Sequence, residues 1–403
     1  MTLLARYRSV LAIPGAPGAL AASTIGRISA GMAGLAVILV VREEHGSYGV
    51  AGACAAAFSI GFAVLSPIRA RRADRKGQTG ILRSSAIGFP LGLIAALVVP
   101  VVGLPLPLIA IGAAIGGALF PPFGPSMRTI WAGLPEASAR ASAFALEAVL
   151  VEVSFVLGPL AVAICQAIGG PRLALLVAGV IGGAGSLALA ANPLSQSWTP
   201  HEAREQHWLG PLRAGRVRRL LLAICFIGVA FGAVDVGVPA FSEQHGRIGA
   251  TGVVLSLWSF GSMLGGLTYG AANPRRSHDR QYRVMVVLVS LVSALPLLAF
   301  SIPTLGALVL IYGMTIAPFF VVNSQLLAEH APAGTVTEAY AWFSTAIFGG
   351  SALGNAIAGG LVSVTGHPKA AFAVTATCGL LALASSLGSR ARSRPVTVAP
   401  LPD

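Results

Sequence analysis

Long apolar segments alternate with short polar ones along almost the whole chain. Between about Ala19 and Gly388 there are twelve apolar segments, each near the ~20 residues that a helix needs to cross a bilayer. We therefore predict twelve transmembrane helices, at residues 19–41, 49–68, 83–102, 105–127, 141–166, 171–191, 219–241, 250–271, 284–301, 304–326, 336–363 and 369–388. The pattern indicates an all-α membrane protein.

The basic residues are distributed unevenly between the connecting segments. Most of the 27 lie in every second segment, counted from the N-terminus, whereas the other segments contain only Arg42, Arg172, Arg247 and Lys369. The positive-inside rule relates such asymmetry to orientation, because short loops rich in Lys and Arg stay in the cytoplasm. We therefore expect both termini in the cytoplasm, in a multi-pass protein of the cell inner (plasma) membrane.

The composition agrees with this interpretation and narrows the possible partners. Hydrophobic residues make up 55% of the chain and charged residues 10%, which is atypical of soluble globular proteins. The net charge of +13 lies mainly in short loops beside helix ends, so we expect contact with anionic lipid head groups and not with nucleic acid. The four cysteines and seven histidines show no metal-binding or catalytic spacing, so neither a metal site nor a cofactor is predicted.

The longest connection runs from Asn192 to Arg218 and divides the predicted helices six and six. We predict a six-helix bundle at 1–192, a cytoplasmic linker at 193–218, a second six-helix bundle at 219–388 and a cytoplasmic tail at 389–403. Each bundle has an unusually basic loop between its second and third helices, which indicates a pseudo-symmetric pair. Secondary transporters share this design, with the substrate site between the repeats near the bilayer midplane.

Four charged residues lie within the apolar segments: Arg27, Glu147, Glu152 and Asp235. Each costs roughly 2.5–3.5 kcal/mol at the bilayer centre, so each needs a partner, water or a proton. Three acids face one base, so Arg27 alone can neutralise one of them. The other carboxyl groups must reach a hydrated cavity or be protonated, and proton-coupled transport requires a carboxyl group that gains and loses a proton.

Two interpretations of these charges remain open. In the first, Glu152 is the principal proton site, Arg27 tunes it, and Glu147 and Asp235 are further candidates. In the second, Arg27 and one glutamate form a static ion pair that holds the first and fifth helices together.

The basic segment after the second helix is the next candidate site. It contains Arg71, Asp74, Arg75 and Gly77, where the glycine permits a tight turn. Glu338, at the start of the eleventh helix, is a plausible partner for Arg71 or Arg75 across the two bundles. The segment would then hold the bundles together in one state and release them in another, although a run of arginines is also an ordinary topology signal.

These motifs resemble those of the major facilitator superfamily, near the bacterial drug:proton antiporters with twelve helices. Asp74-Arg75-Lys76-Gly77 matches the core of the family's loop motif GxxxDRxGRR, which the family uses in locking and unlocking its two halves. Gly158-Pro159 matches the centre of the antiporter motif GxxxGPxxGG. The chain departs from these antiporters in lacking an Arg within its fourth helix.

The resemblance implies a secondary-active exporter of small hydrophobic or cationic compounds, driven by a proton gradient and working as a monomer. By the same analogy, the substrate cavity draws on polar and aromatic residues of the central helices: Ser29, Phe123, Phe231, Trp258, Tyr312, Asn323, Trp342 and Asn355. An importer of a small metabolite is the closest alternative. A sensor or scaffold would have long soluble loops, and a membrane-embedded enzyme would place His, Ser or paired carboxylates on facing helices, so both are less favoured.

Overall fold

The computed structural model describes residues 8, 10–101, 106–134, 136–197, 210–272, 276–332 and 335–387. Within these ranges all regular structure is helical, which confirms the all-α part of the predicted fold. Residues 198–209 of the predicted linker and the predicted tail at 389–403 lie outside the described part. The helices are α1 (Ala16–His45), α2 (Tyr48–Lys76), α3 (Gln78–Val101), α4 (Leu106–Ala118), α5 (Phe123–Ala132), α6 (Ala137–Ala191), α7 (Pro193–Gln196), α8 (Gly215–Gln244), α9 (Thr251–Ala272), α10 (His278–Val292), α11 (Ile302–Gly313), α12 (Ile316–His330), α13 (Val336–Thr365) and α14 (Lys369–Leu387).

Eleven helical segments in the described ranges are long and apolar enough to cross a membrane. One of them, Ser142–Ala191 within α6, has 50 residues and would measure ~75 Å if it were straight, more than twice the hydrocarbon thickness. The backbone of α6 is non-helical at Gly169 and Gly170, and Gly170 has a φ of 77° that a side chain would strain. Pro171 then begins the second arm. Depending on whether α6 is counted as one segment or as two arms, the described part has eleven or twelve membrane-capable segments.

Two of the predicted helices are interrupted. The segment 105–127 was expected to be one helix, but α4 ends at Ala118 and α5 begins at Phe123. Pro121 and Pro122 lie in the gap and have no N–H to donate to the preceding turn. The segment 304–326 is likewise divided between α11 and α12, and Pro318 cannot donate to the carbonyl of Met314.

Arg69 of α2 stabilises the first of these breaks. In a continuous helix the carbonyl of Ala118 would accept from residue 122, which is a proline. The Arg69 guanidinium takes that place, donating to the carbonyl oxygens of Ala118 at 2.9 Å and Phe120 at 3.0 Å. It also donates to the Ser85 hydroxyl of α3. Arg69 is 8% exposed, and this burial lowers its pKa to about 10.

The basic segment after the second apolar run is more regular than expected. We predicted a loop across residues 70–78, whereas α2 continues as a helix to Lys76. Ala, Arg and Lys are strong helix formers, and no helix breaker intervenes before Gly77. Gly77 has a φ of 87°, so the turn expected at this glycine is present.

Glycines allow the helix backbones to touch. A Cβ atom added at Gly228 or Gly232 of α8 would lie 2.4 or 2.1 Å from a carbonyl oxygen of α13. Gly350 and Gly354 of α13 meet α8 in the same way. Between lipid-embedded helices, close packing of this kind is a main source of association energy.

Candidate functional site

The interface between two groups of helices contains most of the candidate residues. We call α1–α7 the first group and α8–α14 the second group. The linker end of the molecule is where α7 ends and α8 begins, and the far end is where α1 and α8 end, at His45 and Gln244.

The first contact between the groups is the α2–α13 seam. A Cβ atom at Gly52 would lie 2.2 Å from the carbonyl oxygen of Asn355, and one at Gly359 would lie 2.4 Å from that of Tyr48. Nearer the linker end, the rings of Phe62 and Phe348 lie 4.2 Å apart between centroids. These two helices are therefore in backbone contact in their far-end parts and in ring contact further along.

The second contact is the α6–α9 seam, which is antiparallel. A Cβ atom at Gly252 would lie 2.1 Å from the carbonyl oxygen of Pro159. The Ser256 hydroxyl donates to the carbonyl oxygen of Val156 at 2.9 Å. Further along, the side chains of Glu152 of α6 and Ser262 of α9 lie near each other. The seam thus joins the Gly158-Pro159 motif to a carboxyl group inside the membrane.

A polar cluster closes the far end, which we call the far-end lock: Arg42, Tyr48 and Glu243. The Arg42 guanidinium donates to both Glu243 oxygens, with Nη2–Oε1 at 2.7 Å and Nε–Oε2 at 3.0 Å. The Tyr48 hydroxyl donates to Oε2 at 2.6 Å, and the guanidinium lies 4.8 Å from the centroid of the Tyr48 ring. The lock thus joins α1 and α2 of the first group to α8 of the second.

Ser363 strengthens the same end by joining α13 to the start of α2. Its hydroxyl accepts from the backbone N–H of Gly49 at 2.7 Å and lies 3.2 Å from the Ser47 hydroxyl. The hydrogen bonds and ion pair described above between the two groups extend from the far end as far as Val156. These contacts hold the far end of the interface closed.

The intramembrane charges divide between two environments. Arg27 and Glu147 form an ion pair, with Nη2 and Oε1 2.6 Å apart, and both are buried within the first group. The pairing is through one bond only, since Nη1 and Oε2 are buried without a partner among the described residues. Arg128 of α5 lies near enough to repel the Arg27 charge. Both interpretations of Arg27 remain open, because an incomplete pair can be static or can exchange.

Glu152 is five residues further along α6, turned by about 140° around the helix axis from Glu147, and it lies on the side of α9 in the second group. Its side chain is half-buried, whereas Glu147 is buried. Residues that follow Glu152 fix α6 against α1. The Ser154 hydroxyl lies 3.3 Å from the carbonyl oxygen of Thr24, and a Cβ atom at Gly158 would lie 2.6 Å from the Cα atom of Gly31. The structure therefore pairs Arg27 with Glu147 and places Glu152 outside that pair.

Asp235 lies in α8, one turn beyond the Phe231–Gly232 pair, and has no hydrogen bond or ion pair with another described residue. A Cβ atom at Gly232 would lie 2.6 Å from the backbone nitrogen of Asn355. Asn355 donates to the Ser351 hydroxyl at 3.4 Å, and its own Oδ1 is buried without a described partner. This part of α8 therefore places an unpaired carboxyl group near the α8–α13 contact.

Aromatic side chains of the second group form a connected cluster. Phe231 and Trp258 meet edge to face with centroids 4.9 Å apart, and Trp258 stacks on Tyr312 at 5.9 Å. Phe320 adds to this cluster at 5.8 Å from Phe231, and Phe343 follows at 5.6 Å from Phe320. The sequence analysis did not select Phe320 or Phe343, although the Phe-Phe pair beside Pro318 at the broken helix was a usable signal.

The remaining candidates occupy different positions. Ser29 donates to the Gly26 carbonyl at 2.6 Å, and Phe123 packs on Gly26, so both lie within the first group. Asn323 is fully buried in α12 and lies 3.4 Å from the carbonyl oxygen of Leu220. Trp342 is half-buried at the linker-end part of α13.

The side chains of Arg71, Asp74 and Arg75 lie outside the described part of the structure, so their expected partners are not assigned. Glu338 is 4% exposed, and neither of its oxygens bonds to a described residue. It is the third residue of α13, where the positive end of the helix dipole favours a negative charge. The proposed pairing of Glu338 with Arg71 or Arg75 stays a prediction.

Comparison with known proteins agrees with this architecture. The sequence profile described as Major Facilitator Superfamily matches residues 19–271. No curated protein sequence matches the chain. The structure is similar to that of the nucleoside transporter NupG, with a TM-score of 0.73, 12% identity, and coverage of 92% of this chain and 97% of that one.

Two further solved structures are similar over nearly their whole length. The human organic anion transporter MFSD10 (TETRAN) has a TM-score of 0.63 at 17% identity, covering 94% of this chain and 99% of that one. A POT family transporter in complex with a thioalcohol-conjugated peptide has a TM-score of 0.68 at 13% identity, covering 92% and 94%. At these identities the likeness shows the fold and leaves the substrate open.

Proposed function

The chain belongs to the major facilitator superfamily, and we propose that it exports small hydrophobic or cationic compounds in exchange for protons. The family and the solved relatives indicate a multi-pass transporter of a small molecule. The direction of transport, its coupling to protons and the class of substrate are the more specific parts of the proposal. The observation that supports them best is Glu152, a half-buried carboxyl group inside a membrane span at the interface between the helix groups.

The proposed mechanism is alternating access between two six-helix bundles, 1–192 and 219–388, joined by a cytoplasmic linker at 193–218. The protein lies in the plasma membrane, and both termini, including the tail at 389–403, lie on its cytoplasmic side. The far end then faces outwards, and its closure excludes an outward-open state. Protons would enter from outside when the far-end lock opens, and Glu152 would accept one.

Two features support a hydrophobic or cationic cargo. The aromatic cluster around Phe231 and Trp258 presents ring faces and few donors, which suits apolar and cationic groups. Asp235 supplies an unpaired carboxyl group one turn away. The likeness of Gly158-Pro159 to the antiporter motif, where α1 and α6 touch, also favours exchange. In this proposal the protein needs no cofactor, acts as a monomer and contacts anionic lipid through its basic loops.

The experiment uses inside-out membrane vesicles energised with a pH gradient. A panel of hydrophobic cations and antibiotics is added, and proton release is recorded for the wild type, Glu152→Gln and Glu147→Gln. Glu147→Gln is a matched control because it neutralises a carboxyl group of the same helix that stays within the first group. We expect substrate-triggered release that is lost in Glu152→Gln.

Retained coupling in Glu152→Gln would contradict the role of Glu152 and favour Glu147 or Asp235. Uptake of a small metabolite in right-side-out vesicles, without any response to the panel, would favour the importer instead.

A further inference from the structure

The start of α10 is bonded to its neighbours along one side. His278 bonds to Glu329 of α12, and Tyr282, one turn later, is buried. Asp279 pairs with Arg216 of α8. Because Arg216 lies in the first turn of α8, these contacts fix the start of α10 at the linker end of the molecule.

Two arginines lie on the outward side of the same turns. Arg280 and Arg283 are exposed, and neither forms an ion pair with a described residue. Asp279 is one turn from Arg283 but pairs with Arg216 instead. Residues three apart on a helix have Cβ atoms ~5–6 Å apart, so both guanidinium groups can reach the same anion. The two arginines therefore form a positive pair that no acid in the described part of the chain neutralises.

An apolar stripe continues directly from this pair: Val284, Val287, Leu288 and Leu291, each 39–61% exposed. The two arginines and the first three residues of the stripe line one open groove. The segment His278–Leu298 is long and apolar enough to cross a membrane, so the exposed aliphatic side chains of the stripe contact lipid chains. The groove therefore brings a lipid chain and a pair of cations together on one helix face.

We propose that this groove binds one anionic phospholipid, with its phosphate between Arg280 and Arg283 and an acyl chain along the apolar stripe. A guanidinium group binds phosphate through parallel N–H···O bonds, which are stronger than bonds between neutral groups. A zwitterionic lipid would bring its own positive charge towards the same arginines, so the site selects lipids with a net negative charge. The proposal depends neither on the proton site nor on the direction of transport.

Helix α3 of the first group supplies a matched control. Arg83 is exposed at the start of α3, and Ile87 and Leu91 are exposed one and two turns further along. Gly80, however, takes the place one turn before Arg83 that Arg280 has in α10. Helix α3 thus combines exposed aliphatic side chains with one arginine, and it separates the effect of the pair from that of any exposed arginine.

The test measures lipid binding to the purified full chain in detergent by native mass spectrometry. Phosphatidylglycerol is compared with phosphatidylcholine of identical acyl chains. A basic residue near the membrane surface favours an anionic lipid by roughly fivefold, so we expect the wild type to prefer phosphatidylglycerol by about 30-fold. We expect Arg280→Gln/Arg283→Gln to lose this preference, Arg83→Gln to keep it, and Arg280→Lys/Arg283→Lys to keep most of it.

Two further measurements separate the possible causes of a loss. Melting temperatures without added lipid, which we expect to be equal for all variants, distinguish lost binding from lost folding. Arg280→Gln alone, which leaves one arginine as in α3, should reduce the preference about fivefold. Glycerophosphate has the phosphate without acyl chains, and we expect it not to displace phosphatidylglycerol.

Equal affinity of the wild type for the two lipids would overturn the inference. An equal loss of preference in Arg83→Gln and in the double glutamine variant would do the same, because any exposed arginine would then suffice. Displacement of phosphatidylglycerol by glycerophosphate would show a site for a soluble anion and not for a lipid.

Discussion

The far-end lock gives the sharpest prediction about the balance between conformations. Replacing Glu243 by Gln keeps the size of the side chain but removes the charge that accepts two bonds from Arg42 and one from Tyr48. The bonds hold α8 against α1 and α2, so their loss acts on the closed state of the far end. We expect Glu243→Gln to shift the molecule towards the state open at that end.

The size of the shift follows from the exposure of the pair. The Arg42 and Glu243 side chains are 27% and 39% exposed, so solvent screens the ion pair, and exposed pairs contribute ~0.2–1 kcal/mol. The geometry is bidentate, and the Tyr48 hydroxyl adds a hydrogen bond to a charged group, worth up to ~1.5–3 kcal/mol when buried. We therefore expect a net loss of about 1–2 kcal/mol, which changes the ratio of closed to open molecules roughly 5–30-fold.

Glu44→Gln is the matched control. Glu44 pairs with Arg172 at the same end of the molecule, but both residues belong to the first group, on α1 and the second arm of α6. The assay is the distance between spin labels at His45→Cys and His367→Cys, measured as a distribution for each variant. A larger open population in Glu243→Gln alone is the expected result. Equal populations in both variants, or no change in Glu243→Gln, would refute the assignment of the lock.

Two further predictions concern packing. Arg69→Met should lower the free energy of unfolding by ~2–4 kcal/mol, because the carbonyl oxygens of the broken helix lose their donor at ~1–3 kcal/mol each, partly offset by removal of a buried charge. Thermal unfolding in detergent measures this, and Arg72→Met, at an exposed position of the same helix, should change little. Gly158→Ala should cost ~1–3 kcal/mol through overpacking on Gly31, whereas Gly34→Ala, where no atom lies within 4 Å of an added Cβ, should be neutral or stabilising. Equal melting temperatures for the two alanine variants would show that α1 and α6 can separate without cost.

The sequence predicted the approximate positions of the spans because bilayer thickness imposes a length on every apolar segment. It did not predict the interruptions near Pro122 and Pro318, because apolar runs continue through both. Periodicity also gave no reason to extend α2 to Lys76, since a run of charged residues is compatible with either a helix or a loop. The helix interruptions and the extension of α2 depend on which backbone N–H groups can donate a hydrogen bond within a helix, and hydropathy does not measure this.

The sequence predicted which charged residues form the candidate site, but it did not predict which of them pair with one another. Arg27 and the three acids were identified because charges inside apolar segments are rare. Which glutamate pairs with Arg27 depends on helix rotation and on side-chain reach, and the structure selects Glu147. The sequence did not predict the far-end lock, because Arg42 and Glu243 lie at helix ends, where charged residues are common. Their meeting depends on residues 201 positions apart in the chain.

The unbroken apolar character of α6 has a consequence for synthesis of the protein. A ribosome delivers the 50 residues of Ser142–Ala191 to the membrane as one largely hydrophobic stretch, whose charged residues are Glu147, Glu152 and Arg172. No segment of that stretch is long and polar enough to form an extended loop in water, so we expect its two arms to enter lipid together as a helical hairpin whose turn is Gly169-Gly170. The orientation of every later helix then depends on a turn of two glycines. A substitution that straightened this turn would invert the orientation of the second group in the membrane, instead of causing only local unfolding.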